Sequence, residues 1–86
     1  MISAKVTVNN RTGLHARPAS QLVQLCKKFE SDLQIITDDD ELDPKSIISL
    51  LSGGISQGTT IELRAEGPDE QDAIDKIVVL IESFTE

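Results

Sequence analysis

Tryptophan and tyrosine are absent from this chain, and Phe29 and Phe84 are its only aromatic residues. Few aromatic faces mean few platforms on which nucleotide bases could stack. A net charge of −7 at pH 7 also lacks the cationic footprint that binding a phosphate backbone requires, so nucleic acid is excluded as a partner. The single cysteine, Cys26, cannot form an intrachain disulfide. No apolar run is long enough for a signal sequence or a membrane span. The expectation is a cytoplasmic protein with no direct membrane insertion. There is no Gly-rich nucleotide loop, no metal-ligand cluster and no second histidine for a proton relay. Neither a cofactor nor a metal is expected, and a self-contained enzyme is not.

What remains is a chain of 86 residues, read as one domain over 1–86, too small for a deep enclosed catalytic cavity. A surface site follows. Aliphatic residues must build the core, and Cys26 falls among them on the apolar stripe of a helix, as filler rather than a reactive thiol. Charge is unevenly spread: residues 1–37 sum to +3, five cations against two acids, whereas residues 38–86 sum to −10, three against thirteen. The only histidine, His15, lies in the cationic part.

Alternation over Ile2–Val8 predicts a strand with one buried face, and 9–13 a polar turn. Apolar residues at Ala19, Leu22, Val23, Cys26 and Phe29 recur at helical spacing over Ala16–Phe29, with Lys27 and Lys28 suited to the negative pole. Pro18 disfavours helical angles at Arg17, which argues for Arg17 as the cap. Strands follow at Asp32–Thr37 and around Glu41–Asp43, joined by the acidic turn Asp38-Asp39-Asp40. Ser46 then caps a short helix that Gly53-Gly54 ends. Thr59–Ala65 reads as the fourth strand, and Asp69 as the cap of a helix reaching about Phe84 through Ala73, Ile74, Ile77, Val78 and Ile81. The order is βαββαβα. This α+β pattern implies a four-stranded, mainly antiparallel sheet with three helices on one face.

The residues that carry chemistry lie in Thr12-Gly13-Leu14-His15-Ala16-Arg17-Pro18-Ala19. A helix start offers backbone N–H groups ahead of the first intrahelical bond and the positive end of the macrodipole, so phosphate on His15 would be held there by Ala16 and Arg17. The Arg17 guanidinium adds a fixed charge shaped for phosphate oxygens. Neutral imidazole is a nucleophile near physiological pH, and phosphoryl transfer asks mainly for positioning and charge stabilisation.

The run Gly13–Ala19 resembles the active-site signature of HPr, the histidine-containing phosphocarrier family of the bacterial sugar phosphotransferase system. Lys45-Ser46-Ile47-Ile48 resembles the family's regulatory serine and following helix, and 65–73 its last helix start. The resemblance spans nearly the whole chain and implies the open-faced β-sandwich of that family, with the first helix starting near Ala16 instead of after an Arg17 cap; under either boundary Pro18 lies in the first turn and His15 outside or at the edge. It further implies a monomeric carrier that takes a phosphoryl group from Enzyme I on His15 and passes it to IIA domains of sugar permeases, with Arg17 stabilising the transfer. Lys27, Ile47, Ile48 and Leu51 would meet those partners. Ser46 would be phosphorylated by HPr kinase/phosphorylase, with a catabolite-control transcription factor as a further partner. Three positions depart from the family pattern: Thr12 replaces the usual Asn or Asp, Pro44 a small or aliphatic residue, and Gly53 an apolar one. Alternatives within the resemblance are a carrier for a nitrogen-related or dihydroxyacetone kinase branch, or a regulatory HPr-like protein acting through phosphorylated Ser46. The regulatory class lacks the active-site histidine, so His15 speaks against that as the sole role.

Overall fold

A computed structural model describes residues 1–85. Seven elements occur in the expected order: β1 (Ile2–Thr7), α1 (Ala16–Cys26), β2 (Asp32–Ile36), β3 (Glu41–Leu42), α2 (Ile47–Ser52), β4 (Thr60–Glu66) and α3 (Glu70–Ser83). The sheet order is β1-β4-β2-β3, with every neighbouring pair antiparallel. Register follows from the period-two pattern, since a slip of one residue would turn the apolar set to solvent. Val6 thus opposes Ile61, and Leu63 opposes Ala4 on one side and Ile35 on the other. The alternate positions Ser3, Lys5, Gln34, Glu62 and Arg64 line the open face, where none is buried.

All three helices cover the apolar face. Helix α3 packs on β1 and β4, α1 packs on α3, and α2 packs on α1. Leu22, Ile35, Leu50, Ile61, Ile77 and Ile81 are among the fully buried side chains. Cys26 is buried with them, and burial pushes its thiol up to about 12, against a lowering influence of Lys45. It is a core residue, inert at neutral pH.

Three local expectations change. Helix α1 starts at Ala16 with His15 as its N-cap residue, which is the boundary the resemblance implies and not the Arg17 cap that Pro18 argues for; Arg17 is helical and Pro18 lies in the first turn, where a missing N–H breaks no intrahelical bond. The same helix ends at Cys26, three residues short of Phe29, because Lys28 and Phe29 donate to Leu25 O and Cys26 O in tighter turns. Asp69 occupies the N-cap position of α3, yet its carboxylate does not cap that helix. It accepts instead from the Glu30 and Ser31 backbone N–H groups, each at 2.9 Å, and from the Ser31 hydroxyl. The Ser31 hydroxyl and then the Glu30 amide hold the Asp69 carboxyl below its usual range.

Candidate functional site

The His15 site is assembled by backbone. Asn10 O accepts from the Gly13 N–H at 3.1 Å and closes a turn, and the Leu14 N–H donates to Ile55 O at 3.0 Å, pinning that turn to the α2–β4 connection. Gly13 has φ 63°, and a Cβ built there would lie 2.3 Å from Ile55 O. No other residue fits so close an approach in the left-handed region. Leu14 is buried beneath, which leaves His15 exposed as the next residue, in extended conformation (φ −101°, ψ 176°).

From that geometry the ring sits at the mouth of α1. The His15 carbonyl accepts the first intrahelical bond, from Ala19 N at 3.0 Å, so the N–H groups of Ala16 and Arg17 precede the ladder and the macrodipole's positive end lies beside His15. Arg17 is exposed in the same turn. The structure therefore brings together His15, Arg17 and the Ala16 and Arg17 amides. A groove of about 630 Å³ lined by Asp38, Asp39, Gly54 and Thr60 includes neither His15 nor Arg17. Among the described residues no group of three or more His, Cys, Asp and Glu could hold a metal ion, and no helix is long and apolar enough to cross a membrane.

Ser46 caps α2 as expected: the Ser49 N–H donates to its Oγ at 3.3 Å. Leu50 is the residue of α2 that turns into the core, leaving Ile47, Ile48 and Leu51 exposed at 36 %, 78 % and 43 %. These three share one stripe, since 47 and 51 are four apart and 48 and 51 three apart. Lys27 is exposed at the C-terminal cap of α1. Two loop bonds fix how the helices lie. The Leu14–Ile55 bond sets the exit of α2 against the His15 turn, while the Lys45 ammonium donates to Phe29 O (2.9 Å) and Ser31 O (3.0 Å) beyond the far end of α1. Ser46 therefore belongs with the Lys27 end, and His15 with the other; twelve residues of helical rise put His15 and Lys27 about 18 Å apart.

Sequence patterning missed the clamp around 29–31. The cation that meets carbonyl oxygens after α1 is Lys45, whereas Lys27 and Lys28 were the cations expected at that pole. Asp69 secures the adjoining N–H groups. These partners are 14 to 39 residues apart in sequence, beyond any local pattern.

A family model described as the PTS HPr component phosphorylation site matches residues 2–83. The HPr-like protein Crh of Bacillus subtilis (strain 168) is 40% identical over 82 residues, 95% of this chain and 96% of that protein. The phosphocarrier protein HPr of Xylella fastidiosa (strain Temecula1) is 39% identical over 83 residues, covering 96% and 93%. Among solved structures, HPr-C-His from Thermoanaerobacter tengcongensis superposes with a TM-score of 0.93 at 44% identity, covering 96% of this chain and 93% of that one. A structure described as an HPr dimer from the same organism aligns at 0.77, with 44% identity and coverage of 96% and 95%. With an open-faced sandwich, a histidine at the first helix start and a family match over nearly its full length, this chain belongs to the HPr family.

Proposed function

We propose that this protein is a phosphocarrier, accepting a phosphoryl group from Enzyme I on His15 and delivering it to IIA domains of sugar permeases. The observation that carries this reading is the placement of His15 as the exposed N-cap residue of α1, two residues before Arg17 in the first turn. A lone pair of the neutral ring forms the N–P bond as the bond from phosphorus to the donor breaks, and the ring's other nitrogen keeps its proton. Arg17 and the first-turn N–H groups face the charge shared between donor and acceptor. Such a protein carries a transient phosphohistidine and turns nothing over by itself. It works in the cytoplasm as a monomer, with β1 completing its own sheet against β4, and the exposed stripe of α2 with Lys27 forms the docking surface.

A second reading draws on the likeness to Crh: Ser46, once phosphorylated by HPr kinase/phosphorylase, would present α2 to a catabolite-control transcription factor. One experiment separates the two. The protein is incubated with Enzyme I, Mg²⁺ and phosphoenolpyruvate, and one acid-labile, alkali-stable phosphate is expected on the parent and none on His15→Ala, with the far-UV spectrum unchanged. Equal labelling of both, or none on the parent, sinks the carrier reading. Transfer onward to a sugar-type IIA domain, rather than to nitrogen-branch or dihydroxyacetone kinase partners, identifies the branch.

A further inference from the structure

Asn10 differs from its neighbours in the turn that leads to His15. Asn9, Arg11 and Thr12 are exposed, whereas Asn10 is only 5 % exposed. A buried amide costs free energy unless its polar atoms are bonded, so its contacts are informative. Its Nδ2 donates to Gly13 O at 2.9 Å and reaches Thr12 Oγ1 at 3.4 Å, while its own backbone O accepts from the Gly13 N–H at 3.1 Å. Asn10 thus closes one turn twice, through main chain and side chain. The bonded Gly13 carbonyl belongs to the peptide whose N–H, that of Leu14, donates to Ile55 O. That peptide is held at both of its polar ends, one residue before His15.

We infer that Asn10 is a positioning residue for phosphoryl transfer at His15, acting by fixing the Gly13–Leu14 peptide plane; the inference rests on the carrier reading above. Fixing that plane sets the direction from which the chain delivers His15 to the mouth of α1. The reacting ring nitrogen must lie in line with the incoming phosphorus, and displacements of about 1 Å in such geometry cost rate steeply. Docking is spared, because Asn10 lies in the turn before α1 while Lys27, Ile47, Ile48 and Leu51 lie on α2 and at the far end of α1. The turn's other locks, the Leu14 N–H bond to Ile55 O and the close approach of Gly13 to that oxygen, act on the N–H side of this peptide. The donor at position 10 holds its carbonyl side.

The test uses Asn10→Asp, which keeps size but at neutral pH has no donor, and Asn10→Ala. Phosphorylation by Enzyme I and phosphoenolpyruvate is measured across Enzyme I concentrations, alongside Ile81→Val, a buried change at the far end of α3 that lowers stability without touching the turn. Both Asn10 variants are expected to lose about tenfold in kcat with KM for Enzyme I within twofold. Asn10→Ser, which keeps a donor, should recover part of the loss, and Ile81→Val should match the parent in both constants. In parallel, the His15 ring signals in ¹H–¹⁵N spectra should move in Asn10→Asp and stay in place in Ile81→Val. A labelled parent with Asn10→Asp at parental kcat overturns this assignment alone. A parent that takes no label overturns the carrier reading and this one with it.

Discussion

Arg17 is the residue whose role is most exposed to measurement. It stands in the first turn of α1 beside His15; on the carrier reading it has no covalent part to play, and its contribution would come through charge at the moment the phosphoryl group is shared. An interaction made chiefly in that state lowers kcat when removed and leaves docking intact. Arg17→Ala is therefore expected to slow phosphorylation of His15 by about ten- to a hundredfold, with KM for Enzyme I little changed. An unaltered rate would show that the helix terminus is sufficient. At this scale the sequence was most legible for placement: a lone histidine, an arginine two residues on and a proline mark the candidate site by type and spacing, and all three lie at the start of α1. Asn10 was not legible, because one buried amide among polar turn residues carries no signal until its neighbours are placed.

At the scale of elements, the connection after α1 depends on two residues from elsewhere, Lys45 for its carbonyls and Asp69 for its N–H groups. The Asp69 carboxyl is lowered by the Ser31 hydroxyl and the Glu30 amide, which fixes a sign. A group with a lowered folded-state pKa contributes stability that is present above its unfolded value near 3.9 and lost as the pH falls through the folded value. Asp69→Asn should lower Tm at pH 7, and the gap to the parent should close as the pH drops below about 4. A gap that stays constant from pH 7 to pH 3 in thermal melts would assign the loss to packing instead of ionisation. Strand and helix positions were readable because periods of two and 3.6 are local properties. The end of α1 and the target of Asp69 were not, because long-range bonds decide them: Asp69 looks like a helix cap by position and spends its carboxylate on another loop.

At the scale of the whole molecule, the two phosphorylation candidates lie at opposite ends of the packed pair α1 and α2. His15 adjoins the exit of α2 through the Leu14–Ile55 bond, and Ser46 adjoins the 29–31 loop through Lys45. The six residues of α2 alone separate them by about 9 Å of helical rise, already comparable with the Debye length of about 8 Å at physiological ionic strength. Charge added at Ser46 is thus largely screened from the His15 ring. It sits instead beside the exposed Ile47, Ile48 and Leu51 and the Lys27 end of α1, and Lys45, the nearest cation in sequence, is already engaged by Phe29 O and Ser31 O. If this stripe meets Enzyme I, Ser46→Asp should raise KM about three- to tenfold and leave kcat near the parental value, since rim charge acts mainly on association. Thermal stability should change little, because aspartate is as good an N-cap as serine. Added salt should narrow the difference in KM by screening. A variant phosphorylated as efficiently as the parent at low Enzyme I would leave Ser46 as a helix cap only, and the docking face would then lie off α2.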